Sequence, residues 1–220
     1  MFKTEKIAIL VGGGPILTFP KPKEYLPVIA VDGGLDTCIT LSFKPDYFIG
    51  DMDSVSLSAK QYAKKNKIPT NFIFEQETTD FEKALTHIDA PGYICVGFID
   101  GRFDHSLACL HVVQKQTRKR PILLYGLEDV VLTVTNDFSM SLPVGERISI
   151  WPLGTVRFKH SSGLLYPLAG VEMTQGKNIG TSNSASAGSI QIKISDGNRG
   201  TYLIILPNRY FNDLLVSIGQ

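Results

Sequence analysis

Cysteine is scarce in this 220-residue sequence, which has three, Cys38, Cys95 and Cys109, and no C-x-x-C pair. An odd number in a chain of this length makes a poor disulfide framework and favours a reducing compartment, so we expect a cytoplasmic protein. Long apolar runs are also absent: the run 7–11 is too short for a secretory signal, and no stretch reaches the roughly 18 apolar residues of a membrane span. We therefore expect no membrane partner.

Charge of one sign is lacking as well. The 22 Lys and Arg residues against 21 Asp and Glu give a net charge of +1, which argues against a protein that coats nucleic acid. The average hides a local difference, because residues 32–104 hold 12 acidic and 7 basic residues, a net charge of −5. The middle of the chain is therefore acidic.

The apolar pattern changes near residue 127. Before it, short apolar runs alternate with helix-like segments, and strands are predicted at 7–11, 28–31, 47–49, 71–74, 93–99 and 121–125. After it, period-two alternation predicts strands at 130–135, 147–151, 156–159, 189–194 and 202–206. We predict an α/β protein: an N-terminal Rossmann-like domain with a mostly parallel sheet (1–127), followed by a small C-terminal antiparallel β-sandwich domain (128–220).

Two helices are predicted in the first half. One begins at Thr79, which is followed three residues later by a Glu as in a capping box. Its apolar stripe is predicted at Phe81, Ala84, Leu85 and Ile88. The other begins near Asp104 and ends in the basic run 115–120. Its inner edge is predicted at Leu107, Leu110 and either Val113 or Gln114.

Acidic residues follow four of the predicted strands. They are Asp32, Asp51, Asp53, Asp80, Asp100 and Asp104. Ligands bind at the carboxyl ends of strands in an open α/β sheet, where these side chains would gather. Asp51 and Asp53 are one residue apart, so in an extended segment both carboxylates point the same way, as two ligands of one cation would. Oxygen ligands without His or Cys favour Mg²⁺ over zinc.

Each of these residues also has a structural interpretation. A single Asp or Gly after a strand is usually a turn former, but acids at four strand ends favour a binding site. Arg102 is a counter-ion of the carboxylates, a ligand for phosphate, or both. The run Gly12-Gly13-Gly14 lacks the full G-x-G-x-x-G spacing of a phosphate loop. The residues alone predict a Mg²⁺ site for a phosphorylated ligand and leave phosphoryl, pyrophosphoryl and nucleotidyl transfer open.

Five short motifs, taken in order, resemble those of the thiamin pyrophosphokinase family. They are DGG at 32–34, KPD at 44–46 with GDMDS at 50–54, QETTDFEKAL at 76–85, GRFDH at 101–105 and GTSN at 180–183. The resemblance implies transfer of the pyrophosphoryl group of ATP to the hydroxyl of thiamin, which gives thiamin diphosphate and AMP.

The resemblance also implies roles for single residues. By motif match, the Mg²⁺ ligands are Asp51, Asp53 and Asp80. The nucleotide and phosphate site is implied to include Asp32, Gly33, Gln76, Thr79, Arg102 and Asp104. The thiamin site is implied to include Ser182 and Asn183, at a homodimer interface where the sandwich of one subunit meets the α/β domain of the other. Asp80 and Asp104 are both candidates for accepting the hydroxyl proton.

One departure from the family concerns thiamin. No acidic or aromatic residue follows Asn183, where family members often carry one, and Trp151 or Tyr166 would have to supply a stacking face unless they are core residues. Two other functions therefore stay open. One is a pyrophosphokinase for another heteroaromatic alcohol, such as a hydroxymethylpterin; the other is a non-catalytic thiamin-binding protein of the same fold.

Overall fold

A long mixed β-sheet with helices on both faces forms the body of the protein. The computed structural model describes residues 1–116, 120–198 and 200–218. The strands are β1 (Phe2–Lys3), β2 (Ala8–Val11), β3 (Val28–Val31), β4 (Tyr47–Gly50), β5 (Thr70–Phe72), β6 (Ile88–Asp89), β7 (Tyr93–Val96), β8 (Ile122–Tyr125), β9 (Asp129–Val134), β10 (Phe138–Ser141), β11 (Arg147–Leu153), β12 (Val156–Ser162), β13 (Glu172–Met173), β14 (Gly180–Ser184), β15 (Ser189–Ile194) and β16 (Thr201–Pro207). The helices are α1 (Gly34–Thr40), α2 (Leu57–Lys65), α3 (Asp80–His87), α4 (Phe103–Gln116) and α5 (Phe211–Val216), the last preceded by a 3₁₀ turn, Asn208–Tyr210.

Ten strands form the main sheet in the order β14-β11-β16-β9-β8-β7-β2-β3-β4-β5. The six from β8 to β5 are parallel, and β9, β16, β11 and β14 continue the sheet in antiparallel pairing. The change of direction occurs between β8 and β9, where Leu123 pairs with Leu132. Because β8 and β9 are hydrogen-bonded neighbours, one sheet runs through both halves of the chain.

Helices cover both faces of the parallel strands, which explains why those strands are apolar throughout. On one face, Val11 and Val96 lie in a core shared with α1, α2 and α5. On the other, the alternate residues Leu10 and Cys95 lie in a core shared with α3 and α4. The carboxyl ends of β3, β4 and β5 are therefore left between the two helical layers, at one edge of the sheet.

A second sheet, in the order β10-β15-β12-β13, packs on the antiparallel part of the main sheet. The ring of Phe158 on β12 meets the ring of Tyr202 on β16 with centroids 5.4 Å apart. This sheet lies on the same side as α1, α2 and α5, because its buried residues share one core with theirs. The second half of the chain thus contains two packed sheets, one of which continues the parallel sheet.

The α/β class and the mostly parallel first half are confirmed. The division at residue 127 stays a prediction, because the chain turns there within one sheet. Here Asp100 Oδ2 accepts a hydrogen bond from Leu127 N at 2.8 Å, and Asn208 Nδ2 donates to Leu127 O at 2.6 Å. Among the described residues, no helix is long and apolar enough to cross a membrane.

The two predicted helices have different outcomes. The stripe of α3 is confirmed, since Phe81, Ala84, Leu85 and Ile88 are all buried. The predicted inner edge of α4 is wrong in part: Leu107 is 51% exposed, and the buried residues are Cys109, Val112 and Val113. The helix begins at Phe103, and in its first turn Ser106 Oγ donates to Ile99 O at 3.0 Å. Residues 117–119 of the predicted basic run lie outside the described residues.

Candidate active site

Three of the predicted acidic residues meet at the carboxyl ends of neighbouring strands. One carboxylate oxygen from each of Asp32, Asp51 and Asp53 lies within 4.8 Å of the other two. Asp32 follows β3, and Asp51 and Asp53 follow β4, the next strand in the sheet. The predicted gathering of acids at this edge is therefore found for these three residues, which we call the acid cluster.

Two glycines allow the acid cluster to form. A side chain at Gly34, the first residue of α1, would place its Cβ 1.8 Å from Val11 O, so only glycine lets the helix begin this close to β2. At Gly50, where φ is +148°, a Cβ would lie 3.0 Å from both Cα and Cβ of Asp32. The last residue of β4 therefore has no side chain because the Asp32 carboxylate lies beside it.

A tight turn brings Asp51 and Asp53 together. Asp53 N donates to Asp51 Oδ1 at 3.0 Å across Met52, whose φ is +68°, and Ser54 Oγ donates to Asp53 Oδ1 at 2.9 Å. The segment is not extended, so the expected reason for the meeting of the two carboxylates is wrong, although the meeting itself is found. Gln76 Nε2 donates to Asp51 Oδ2 at 3.2 Å, which attaches the loop after β5 to the acid cluster.

Asp32 is the most buried acid in the acid cluster, with a relative exposure of 6%. Burial raises the pKa of its carboxyl, and the charges of Asp80 and Asp51 raise it further. Its Oδ1 is buried and has no hydrogen-bond partner among the described residues. By contrast, the backbone N–H of Asp53 lowers the pKa of Asp51, with help from Gln76. An unpartnered buried carboxylate oxygen beside two more carboxylates is a strong reason to expect a cation there.

Asp80 begins α3 near the acid cluster but outside the set of three. Its Oδ1 pairs with Lys83 Nζ at 3.1 Å, and its charge is close enough to affect the pKa of Asp32. Thr79 is the N-cap of this helix, because its Oγ1 accepts a hydrogen bond from Glu82 N at 3.2 Å. The capping prediction is confirmed for Thr79, while the Glu82 carboxylate pairs with Lys115 on α4.

Lys83 is a residue whose position the sequence analysis missed. It is 4% exposed, and its positive charge helps to lower the pKa of Asp51. A lysine this buried needs a charged partner. Its spacing of three residues from Asp80 was the available signal, because side chains at i and i+3 are neighbours on a helix.

Arg102 and Asp104 form an exposed pair at the start of α4. Arg102 Nη2 donates to Asp104 Oδ2 at 2.6 Å and Nε to Oδ1 at 3.1 Å. This pairing raises the pKa of Arg102 and lowers the pKa of Asp104. The pair follows β7, which is parallel to β3 and two strands away from it, so the pair and the acid cluster both lie at the carboxyl ends of the parallel strands. Arg102 is 70% exposed and keeps N–H groups for a ligand.

The structure puts Ser182 and Asn183 far from the acid cluster. Both lie on β14, the edge strand seven positions from β3, which corresponds to roughly 30 Å within one subunit. Ser182 is exposed, whereas Asn183 is buried and holds the backbone of Tyr166: its Oδ1 accepts from Tyr166 N at 3.0 Å and its Nδ2 donates to Tyr166 O at 2.8 Å.

The remaining predicted residues have mainly structural surroundings. Gly12 N and Gly14 N donate to Val96 O and Gly97 O, so these two amides are occupied by the backbone. Gly33 is the N-cap of α1. Of the two candidate stacking residues, Trp151 is half-buried against the core and Tyr166 is 63% exposed.

Comparisons with known proteins agree with the motifs. Residues 23–124, which include the acid cluster, Gln76, Asp80 and the Arg102–Asp104 pair, match the family described as thiamin pyrophosphokinase, catalytic domain. This match spans 102 of the 220 residues. The match begins after β2 and ends within β8, so it covers β3, β4, β5, β7 and most of β8.

Relatives of the thiamin pyrophosphokinase family extend the likeness beyond that domain. Thiamine pyrophosphokinase 1 of rice, Oryza sativa subsp. japonica, is 26% identical over 204 residues, covering 85% of this chain and 75% of the rice protein. Thiamin pyrophosphokinase 1 of Caenorhabditis elegans is 25% identical over 185 residues, covering 76% of this chain and 74% of the worm protein.

Solved structures show the same fold. The thiamine pyrophosphokinase of Bacillus subtilis superposes with a TM-score of 0.76 at 20% identity, over 92% of this chain and 99% of that one. The enzyme of Candida albicans superposes with a TM-score of 0.72 at 16% identity, over 94% of this chain and 92% of that one. Both superpositions extend over nearly the whole chain, so the likeness of fold includes the residues after 124.

Proposed function

We propose that this protein is a thiamin pyrophosphokinase, which transfers the pyrophosphoryl group of ATP to the hydroxyl of thiamin and releases AMP. The observation that carries the proposal is the acid cluster of Asp32, Asp51 and Asp53, formed by the family's motifs within the matching residues 23–124. Rice and worm relatives named thiamin pyrophosphokinases support the choice of thiamin over a pterin. A purely binding function would give no reason to keep three converging carboxylates.

The acid cluster fits a magnesium ion. Its donors are carboxylate oxygens, and one of them, Asp32 Oδ1, is buried without a partner among the described residues. We propose Asp51 and Asp53 as ligands, with Asp32 at ligand distance beside them and Asp80 as a further ligand reached from α3. Bound Mg²⁺ would neutralise charge on the phosphates of ATP and hold them in place.

The other residues of the site position and neutralise the reacting groups. Gln76 fixes the orientation of Asp51 by its hydrogen bond, and Thr79 sets the start of α3 and so the place of Asp80. We propose that Arg102 binds the phosphates with its remaining N–H groups. Asp80 and Asp104 remain the candidates for accepting the proton of the thiamin hydroxyl.

We propose that the active site is completed by a second copy of the chain in a homodimer. Ser182 and the acid cluster are roughly 30 Å apart in one subunit, which is too far for both to contact one thiamin molecule. With Ser182 exposed on an edge strand, it is available to a neighbouring subunit.

The free and buried Cys38, Cys95 and Cys109 suit a reducing compartment, and we propose the cytoplasm.

The function is tested by incubating the protein with MgATP and either thiamin or a hydroxymethylpterin, and by measuring AMP together with the pyrophosphorylated product. We expect AMP and thiamin diphosphate in equal amounts with thiamin. Formation of AMP with the pterin and not with thiamin would show that the substrate is the pterin. Thiamin binding by calorimetry without release of AMP would instead indicate a non-catalytic binding protein.

The metal role is tested with Asp51→Asn. Because Mg²⁺ supplies several kcal/mol of charge neutralisation, we expect turnover to fall by about 100-fold or more while the unfolding midpoint changes little. Asp196→Asn is the matched control, since Asp196 is a 94% exposed carboxylate on the other half of the chain. Wild-type turnover of Asp51→Asn at ordinary Mg²⁺ concentration would remove Asp51 from the ligands.

The shared site is tested by mixing two inactive variants. Asp51→Asn damages the acid cluster, and Ser182→Trp blocks the surface proposed for thiamin. If each active site uses the acid cluster of one subunit and Ser182 of the other, co-expressed variants form mixed dimers with one intact site and regain activity. Mixed dimers that remain inactive would contradict the shared site.

A further inference from the structure

Two exposed phenylalanines lie side by side where the main sheet ends. Phe72 is the last residue of β5 and is 50% exposed, and Phe74 is 71% exposed. Their ring planes are 4° from parallel and their centroids are 6.0 Å apart. We call these two residues the aromatic pair. It presents ring surface to the solvent, in contrast to Phe48 on the neighbouring strand, which is fully buried.

The aromatic pair is next to the acid cluster. Phe72 is the register partner of Gly50 on β4, and the space where a Gly50 side chain would lie is bordered by Asp32. Phe74 is two residues before Gln76, which donates to Asp51 Oδ2. Two residues of extended chain span about 7 Å, so Phe74 Cα is at most about 7 Å from Cα of the residue that contacts the acid cluster.

Exposed rings at this place need an explanation. β5 is an edge strand, and exposed apolar side chains on an edge favour association with other chains, which natural proteins usually avoid with charged residues. The neighbours along the chain, Asn71 and Glu75, are polar, and Ile73 between the two rings is packed against the core. The backbone alternation therefore turns both phenylalanines, and not Ile73, away from the core.

We propose that the aromatic pair stacks the purine base of ATP. This inference rests on the proposed function, since it takes the phosphates of the same nucleotide to lie at the acid cluster. A phenyl ring offers a π-face and no hydrogen-bond donor or acceptor, so the aromatic pair would hold a base without reading its edge. The consequence is a weak preference among nucleotides: GTP binds almost as well as ATP.

The experiment compares MgATP with magnesium tripolyphosphate, which carries the phosphates and no base, by calorimetry in the absence of thiamin. We expect Phe74→Ala to weaken ATP binding roughly 5- to 100-fold, the effect of losing one stacked ring, and to leave tripolyphosphate binding unchanged. Phe74→Trp should keep the affinity for ATP, while Phe74→Leu should not. Leu57→Ala, which removes a 78% exposed apolar side chain from α2, should change neither affinity.

Several results would overturn the inference. One is that Phe74→Ala weakens the binding of ATP and of tripolyphosphate equally, and another is that the wild-type protein binds ATP no more tightly than tripolyphosphate. A third is that Phe74→Ala weakens the binding of thiamin alone. A fourth is that Phe74→Ala changes the sedimentation coefficient, which would make the aromatic pair a contact between subunits. The proposed function fails separately, when the wild-type protein binds nucleotide and forms no thiamin diphosphate. A ring-dependent preference for ATP over tripolyphosphate would then remain.

Discussion

Replacing Gly50 by alanine tests whether the acid cluster depends on the missing side chain at the end of β4. The new Cβ would lie 3.0 Å from Asp32 Cα and Cβ and 3.1 Å from Oδ1, so Asp32 must move by a few tenths of an ångström. Asp32 resists this movement because its N–H donates to Ile49 O at 2.9 Å and its carbonyl accepts from Leu35 N at 3.0 Å. The strain therefore falls on the carboxylate.

Two separate effects follow from Gly50→Ala. A non-glycine residue held at a strained φ costs about 1–3 kcal/mol of unfolding free energy. The displaced Asp32 carboxylate also weakens the metal site: with a 1 Å displacement costing about 100-fold in rate, we expect the Mg²⁺ concentration for half-maximal turnover to rise roughly tenfold.

The assay measures denaturant unfolding and the Mg²⁺ dependence of AMP formation on the same preparations. Gly154→Ala is the matched control, because Gly154 has a φ of +87° and no atom lies within 4 Å of the point that its new Cβ would occupy. We expect both variants to lose stability and only Gly50→Ala to need more Mg²⁺. Unchanged Mg²⁺ dependence in Gly50→Ala would refute the link between Gly50 and the acid cluster.

Two further substitutions test hydrogen bonds in the second half of the chain. The Glu146 carboxylate accepts a hydrogen bond from Tyr210 Oη at 2.6 Å and pairs with Arg209. Both contacts lower the pKa of Glu146 below the ordinary 4.5. Glu146→Gln should therefore cost about 2 kcal/mol in unfolding free energy at pH 7. A carboxylate with a lowered pKa stabilises the fold at pH values where it is ionised. The difference in unfolding free energy between wild type and Glu146→Gln should therefore vanish as the pH falls through the folded-state pKa, and equal costs at pH 7 and pH 3 would contradict this role of Glu146. Asn183→Ala should lower the unfolding free energy by about 2–3 kcal/mol, because it leaves the backbone N–H and C=O of Tyr166 unpaired. Ser182→Ala, at an exposed side chain, should lower it by less than about 0.5 kcal/mol. Equal losses in the two variants would contradict the structural role of Asn183.

Strands buried on both faces could be predicted from the sequence because burial demands apolar residues throughout. β3, which is buried on both faces, begins and ends where its apolar run predicts, and β15, which is buried on one face, does so by its period-two alternation. β14 could not be predicted, since Gly180–Ser184 contains no apolar residue and pairs at the edge of the sheet. α2 could not be predicted either, because its buried residues are Ala59 and Ala63, which give no clear apolar stripe.

The site could be predicted as far as its acids, because polar residues directly after buried strands mark the binding edge of an open sheet. The details could not. Nothing in the residue type of Met52 indicates the φ of +68° that turns Asp53 back toward Asp51. The third carboxylate of the acid cluster is Asp32, whereas Asp80 pairs with Lys83, and this pairing depends on how α3 packs.

The place of β16 in the main sheet has a consequence for the order of assembly on the ribosome. β2, β3, β4, β5, β7 and β8 all lie within residues 8–125, so the parallel strands can pair before the rest of the chain has been made. β9 and β11 cannot be joined until residues 201–207 have been synthesised to fill the gap between them. The Phe211 ring of α5 then closes the core around Phe19 and Tyr125, with centroids 5.1 and 5.4 Å away, so residues late in the chain complete a core that the first residues begin.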